Sequence, residues 1–264
     1  MKKIAILGAG NMGGALARGL VFKNVFSPSE IVCTAKSEAT LARLAEEIPG
    51  IDVSAENVSA ASGAETLVIA VKPWLVESVL AELRAAKILP RRIISVAAGI
   101  SLEKLRAWCG APALPLFVAI PNTAVAVAQS MTFFAADGAS ADDEKFVFEL
   151  FSKLGKAASV DEKQLAAGMA IASCGIAFAM RYIRAAETGG VALGLKSSLA
   201  REAVIQTVAG AAALLAATGE HPENAIDKVS TPGGITIRGL LEMEENGFSS
   251  ALIRGIKAAA NAGK

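Results

Sequence analysis

The sequence predicts an α/β chain: a doubly wound, mainly parallel sheet followed by an all-helical half. Two observations predict it. Short apolar runs alternate with helix-length amphipathic runs over the first 160 residues, which is how strands and covering helices read when both faces of a parallel sheet are buried. Beyond about residue 160 strand-like runs stop and long, alanine-rich helical runs take over.

Residues 3–7 are short and apolar and end at glycine, a buried-strand signal. Residues 11–22 follow with Met12, Ala15, Leu16, Gly19 and Leu20 at helical spacing. A second strand is expected at 31–34, then an amphipathic helix at 38–48 through Leu41, Leu44, Ala45 and Ile48. A third strand at 66–71 is stopped by Lys72-Pro73, and a helix at 76–88 follows. A fourth strand spans 92–96. Ser101 is placed to cap a short helix reaching Trp108, with Glu103 near the cap. Further strands are expected at 115–120 and 130–135, and a helix at 142–154. The helical half reads as one long helix over 161–188, a second over 197–218 capped near Ser197-Ser198, and three shorter ones over 222–228, 235–246 and 249–262. The composition break falls near 158–163 without a Gly/Ser linker. The expected domains are therefore 1–160 and 161–264.

Composition excludes several classes of function. Apolar residues are 53% and charged residues 19%, so the chain is not disordered. Basic and acidic residues number 26 and 25, which gives nucleic acid no basic footprint and a charged partner no acidic tail. Cys33, Cys109 and Cys174 form no CxxC pair and no disulfide framework, and read as small hydrophobes in a reducing compartment. The one histidine, His221, lies in a Gly-Glu-His-Pro loop, so neither a histidine triad nor a multi-histidine metal site is expected. Lys2 and Lys3 precede too short an apolar run for a signal peptide. The most apolar window, 165–180, is short for a membrane span and reads as a buried helix at a subunit interface. A cytoplasmic location and no membrane partner are the expectations.

Chemistry begins at Gly8-Ala-Gly10-Asn11-Met12-Gly13, a GxGxxG turn that follows one strand and opens a helix, as in a Rossmann-type dinucleotide site. Gly8 permits the tight turn, Gly10 lets a pyrophosphate approach the backbone, and Gly13 allows close helix–strand packing. The phosphates would rest on free N–H groups at the helix start. The end of the second strand reads Cys33-Thr34-Ala35-Lys36-Ser37, with no acid until Glu38. An NAD site usually carries an acid there for the ribose 2′-hydroxyl. A cation and two hydroxyls suit a 2′-phosphate instead, so NADP(H) is the expected cofactor, with NAD(H) as the alternative. Three further loops each admit two readings. Ala70-Val71-Lys72-Pro73 is either a helix start or a cofactor edge, and Pro121-Asn122-Thr123 either a plain turn or a border of the nicotinamide. Thr231-Pro232-Gly233-Gly234-Ile235-Thr236 is either a helix–helix turn or a backbone cradle for a carboxylate.

Together and in this order, these segments resemble the pyrroline-5-carboxylate reductase family. Ser95-Val96-Ala97-Ala98-Gly99 belongs to the same set, as do Gly189-Gly190-Val191, Gly194-Leu195, Gly219-Glu220-His221-Pro222 and Gly247-Phe248. The resemblance covers nearly the whole chain. It implies a Rossmann domain and a helical domain that intertwines with a second copy, giving a homodimer that can assemble into a larger ring. It implies that Asn57, Ala70, Val71, Lys72, Pro73, Ala97 and Gly99 line the cofactor and that Asn122 and Thr123 lie near the nicotinamide. It also implies that Thr231, Gly233, Gly234, Ile235 and Thr236 hold the substrate, with the Thr236 hydroxyl as the catalytic group near the ring nitrogen. The implied reaction is NAD(P)H-dependent reduction of 1-pyrroline-5-carboxylate to proline.

The chain departs from the family's pattern at Val118, Ile120 and Ala124, and its Ala172-Ser173-Cys174-Gly175-Ile176-Ala177 segment has Cys174 for a serine and Ile176 for a proline beside the substrate site. A thiol is a poorer donor than a hydroxyl. These changes keep two alternatives in play: a reductase of another cyclic imine or of a hydroxy acid, and a non-catalytic NADP-binding paralogue. Against hydroxy-acid chemistry, the helix between the halves has Lys163 at its start and then Arg181 and Arg184, with no lysine in its middle.

Overall fold

The structure is a computed structural model that describes residues 3–88 and 90–262; Lys2, read above beside Lys3, lies outside them. It contains one eight-stranded sheet. In chain order the elements of its first part are β1 (Ile4–Leu7), α1 (Asn11–Phe22), β2 (Ile31–Thr34), α2 (Glu38–Glu47), β3 (Asp52–Ser54), α3 (Asn57–Ala61), β4 (Thr66–Ile69), α4 (Val76–Ala85) and β5 (Arg92–Ser95). They continue with α5 (Leu102–Cys109), β6 (Leu116–Ile120), β7 (Ser130–Asp137), α6 (Ala141–Lys153) and β8 (Gly155–Ser159). The strand order is β3-β2-β1-β4-β5-β6-β7-β8, and every pairing is parallel except β6–β7. The order reverses between β1 and β4, the place where doubly wound sheets open a ligand crevice at their carboxyl ends.

Strand alternation builds two cores. Ile4 and Ile6 of β1 face one way, onto Leu16 and Leu20 of α1 and Phe151 of α6. Ala5 and Leu7 face the other way, onto Leu80 of α4 and Leu105 of α5. Each large side chain so buried contributes about 1.5–3 kcal/mol. The parallel register sets Leu7 level with Thr34 and Ile69, Ile69 level with Ser95, and Ser95 level with Val118. The residues that follow these strands therefore emerge along one edge.

At the other end of β5, Arg92 is buried at 2% exposure. Its Nη2 lies 2.8 Å from Asp143 Oδ1 and its Nη1 donates to Thr66 Oγ1 at 3.2 Å, tying α6 to the sheet. Burial pushes the Asp143 carboxyl up, but the Ser140 hydroxyl and the Arg92 guanidinium outweigh it and hold the group below its ordinary value.

Several elements differ from the sequence expectation. β3 and α3 were not expected, nor was β8. β3 is a three-residue edge strand with an exposed Asp52, and β8 reads Gly-Lys-Ala-Ala-Ser. Neither has the β-branched or alternating pattern that marks a strand. The expected helix over 161–188 is interrupted. α7 (Leu165–Gly168) passes into a π-turn over Met169–Ser173, where the Cys174 N–H reaches back to Met169 O at 2.8 Å, before α8 (Gly175–Ala192) begins. Within the single chain the window over 165–180, expected at a subunit interface, leaves Ile171 and Met180 exposed.

By packing, one compact unit runs through Cys174 and takes in residues 259–262, and the other is Gly175–Ala258. The second holds α8, α9 (Ser197–Thr218), α10 (Pro222–Lys228), α11 (Ile235–Glu245) and most of α12 (Phe248–Ala262). α9 is not capped by Ser197-Ser198. Lys196 is the cap position, and the Ser197 hydroxyl instead donates to Glu187 Oε1 at 2.8 Å. Arg201 and Arg184 also bind the Glu187 carboxylate, whose pKa falls to about 2, chiefly through the Arg201 hydrogen bond and then that of Ser197. Many apolar side chains of this unit are exposed, including Leu193, Leu199, Leu214, Leu241 and Ile253. The stretches Glu162–Ala192 and Ser197–Thr218 are long and apolar enough to cross a membrane by length and composition.

Candidate functional site

At the carboxyl ends of β1, β2 and β4 lies a cleft of about 810 Å³. Its floor is the turn from β1 to α1. Gly8 has φ +102°, and a Cβ there would sit 2.8 Å from the Ala70 carbonyl carbon. Only glycine satisfies both the left-handed backbone and the close approach to the β4 end. A Cβ on Gly13 would collide with the Gly8 carbonyl, so Gly13 draws α1 onto the turn, whereas a Cβ on Gly10 would meet nothing within 4 Å. Gly10 is the N-cap of α1, with no side chain capping it and no acid in the first turn. The first N–H groups of the helix are thus left for an anion.

The rim carries the charge. Lys36 and Lys72 are exposed cleft residues, and neither has a carboxylate partner among the described residues. Ser37 caps α2 by accepting from the Thr40 N–H. Thr34, at the end of β2, is buried, and its Oγ1 accepts from Gly8 N at 3.2 Å and donates to Asn57 Oδ1 at 2.8 Å. Asn57 opens α3 and so reaches the cleft from an element the sequence had not indicated. An unpaired helix start, two unpaired lysines and a groove floored by glycines form a site for an extended, multiply anionic molecule. A dinucleotide that carries a 2′-phosphate fits this donor set.

The cleft brings together Gly8, Gly10, Asn11, Met12, Thr34, Lys36, Ser37, Asn57, Ala70, Val71, Lys72, Pro73 and Ala97. It does not include Gly13, which packs against β1, or Gly99, which lies two residues beyond Ala97 in a turn with φ +72°. Asn122 and Thr123 also lie outside its lining. Asn122 is buried, and its amide bonds to protein through its oxygen and one N–H. Oδ1 accepts from Ala124 N at 3.0 Å, and Nδ2 donates to Ala172 O at 3.2 Å, a carbonyl of the π-turn. Asn122 therefore holds the turn that leads to Cys174. Sequence reasoning missed Thr40, Ser78 and Glu82 of the lining. They stand one to two turns into α2 and α4, and projecting those helices from the strand ends would have found them.

In the helical unit the predicted Thr231–Thr236 segment is a tight loop. Gly234 N donates to Thr231 O at 2.9 Å, Gly233 has φ +68°, and Gly234 is the uncapped N-cap of α11. Thr236, in the first turn of α11, is exposed, and Ile235 is 89% exposed. Ser230 Oγ, at the loop's start, is buried with no hydrogen-bond partner. His221 is an exposed N-cap of α10, its Nδ1 accepting from Glu223 N. Burial pushes the Cys33 thiol to about 12 and the Cys109 thiol to about 11, so neither is a nucleophile near neutral pH.

Comparison with known proteins agrees with this geometry. Residues 162–264 match the family model described as pyrroline-5-carboxylate reductase dimerisation, and residues 3–99 match that described as NADP oxidoreductase coenzyme F420-dependent. Pyrroline-5-carboxylate reductase 1 of Dictyostelium discoideum is 37% identical over 96% of the chain, which spans 48% of that longer protein. The pyrroline-5-carboxylate reductase of Arabidopsis thaliana is 35% identical over 98% of the chain and 93% of its own length. Among solved structures, the Plasmodium falciparum pyrroline carboxylate reductase with NADP bound superposes with a TM-score of 0.89 at 26% identity, covering 100% of this chain and 97% of that one. The chain belongs to the pyrroline-5-carboxylate reductase family.

Proposed function

We propose that the chain reduces 1-pyrroline-5-carboxylate to L-proline with NADPH as the preferred cofactor, the last step of proline synthesis. The observation that carries the cofactor half is the end of β2, where exposed Lys36 and Ser37 stand in place of an acid. The relative with NADP bound supports it. The family membership carries the substrate half.

In this reading the N-terminus of α1 holds the pyrophosphate, and Lys36 and Ser37 hold the 2′-phosphate. Thr34 and Asn57 support the adenosine side, and Ala70 to Pro73 line the opposite wall. When bound, the nicotinamide supplies a hydride to the imine carbon. The Gly233 N–H and the uncapped first-turn N–H groups of Ile235 and Thr236 hold the substrate carboxylate at the start of α11. The Thr236 hydroxyl orients the ring nitrogen and relays a proton to it. Such a site works mostly by proximity and preset dipoles.

Self-association is part of the proposal. The exposed apolar side chains of the helical unit need a cover, and the segment matches a dimerisation model. A second copy is favoured over a bilayer because Arg184, Glu187 and Arg201 form an ionised cluster within the two apolar stretches. The three free cysteines suit a reducing compartment, and the cytoplasm is the location proposed.

The test is NADPH oxidation followed at 340 nm with pyrroline-5-carboxylate, with NADH in parallel. Turnover with NADPH preferred is expected. NADPH binding without turnover would overturn the substrate assignment, and turnover with NADH preferred would overturn the reading of Lys36.

A further inference from the structure

We infer that Glu82 is a positioning residue of the cofactor cleft: its carboxylate selects the amide orientation of Asn57 and thereby aims an Asn57 N–H into the cleft. The inference rests on the cleft's reading as the NADPH site. A carboxylate is out of place in a cleft that otherwise offers N–H groups and lysines to a multiply anionic molecule. Glu82 is exposed on α4, lines that cleft, and forms no ion pair among the described residues. Its Oε2 accepts instead from Asn57 Nδ2 at 3.3 Å.

The hydrogen-bond chain explains why an acid stands there. It starts at Gly8 N–H, which can only donate, and which gives to Thr34 Oγ1 at 3.2 Å. Thr34 then has one proton to give, and gives it to Asn57 Oδ1 at 2.8 Å. The asparagine amide is nearly symmetric in shape, and Thr34 alone does not fix it, because a hydroxyl can accept from Nδ2 as readily as it donates to Oδ1. An ionised Glu82 can only accept. A flipped Asn57 would set Oδ1 against the carboxylate, oxygen to oxygen. With the flip forbidden, one Nδ2 hydrogen is held by Glu82 and the second remains for a ligand oxygen. The same choice commits the Thr34 proton to Asn57 and keeps the Thr34 lone pairs on the glycine turn.

This role separates from a purely electrostatic one by sign. A carboxylate that merely repels phosphate would, on removal, tighten NADPH binding. One that positions Asn57 would loosen it. Glutamine keeps a contact with Asn57 but, like Thr34, can accept or donate, so it removes the charge and the choice of orientation together. The experiment is a fluorescence titration of NADPH and of NADH on wild type, E82A, E82Q, N57A and the N57A/E82A double variant, with a melting curve of each variant without cofactor. The wild-type titration tests the cofactor reading by itself, and absence of binding there would remove that reading rather than this one. The expected result is a Kd raised about fivefold in E82A for both cofactors, from the loss of one oriented hydrogen bond. E82Q should bind up to about twofold more weakly than wild type, because two amide orientations then share the site. E82A should add nothing in the N57A background, the signature of action through a shared partner. Tighter binding by E82A or by E82Q, weaker binding by E82Q than by E82A, or additivity with N57A would each overturn the inference, provided the melting curves match.

Discussion

Gly10 and Gly13 stand three residues apart in one turn, yet the structure assigns them opposite jobs, and alanine at each should separate those jobs. At Gly13 the new methyl would meet the Gly8 carbonyl and lie 3.1 Å from Ile6 Cγ2. The obstacle is backbone in a turn that itself presses on Ala70, so it has nowhere to go. Overpacking of this kind costs about 3 kcal/mol. Alanine's better helix propensity returns about 1 kcal/mol. The net of about 2 kcal/mol should lower Tm by roughly 4–8 °C in a chain of this size. At Gly10 the methyl finds open space, and φ is −71°, where any residue is at ease. Alanine at an N-cap position costs under about 1 kcal/mol, so Tm should fall by less than about 3 °C. That open space is where a pyrophosphate would lie against the helix start. Losing one charge-assisted contact there should weaken NADPH by about 10- to 100-fold. Scanning calorimetry at matched protein concentration and a fluorescence titration of NADPH give both numbers. NADPH binding within twofold of wild type in G10A would refute the placement of the phosphates, and a G10A Tm as low as that of G13A would refute the division of labour.

Lys36→Glu should raise the NADPH Kd about 30-fold, from loss of one charge-assisted bond of about 2 kcal/mol, while NADH changes less than threefold; equal losses would remove the 2′-phosphate role. Thr236→Ala should lower turnover by about 10- to 1000-fold while the NADPH Kd holds, and near-normal turnover would show the proton relay to be misplaced. Glu187 has its pKa lowered from 4.5 to about 2 in the fold, so its contribution to stability is full above about pH 4.5 and is lost as pH falls towards 2. The drop in Tm between pH 7 and pH 3 should accordingly be smaller in E187Q than in wild type; an unchanged drop would mean that other carboxylates carry the acid sensitivity.

The parts of the fold that were legible are those where burial imposes a period. α1, β2, α9 and α10 lie where the apolar runs and the glycines and prolines that bound them put them. The glycine turn was legible because its constraint is steric and local. β3 and β8 were not, since an edge strand needs little apolar area and the sheet supplies the pairing that its sequence does not ask for. The π-turn was invisible for another reason. One surplus residue in a helix leaves no compositional mark, and its bond from Cys174 to Met169 is an outcome of packing. At the site, Asn57 was reached only through family resemblance, because nothing nearby marks α3. Nothing in the sequence marks Glu82, because the partner that gives it meaning is 25 residues away. Asn122 was open between a plain turn and a border of the nicotinamide, and its bonds to Ala124 and Ala172 are long-range packing that the sequence does not mark.

The reversal of direction at β7 has a consequence for the chain beyond it. β8 runs parallel to β7 and therefore away from the edge that carries the cleft, so the chain leaves the sheet at the opposite edge. It must travel back across the sheet face before the π-turn can reach Asn122. It makes that crossing at Gly168, where a Cβ would lie 2.7 Å from the Phe133 ring. That missing methyl sets the height at which the helix passes over β7. A side chain at 168 would press on the Phe133 ring where the helix crosses, four residues before the Asn122–Ala172 hydrogen bond. A position with no chemistry of its own thus governs how closely the helix passes over β7 and, through Ala172, bears on the loop after β6.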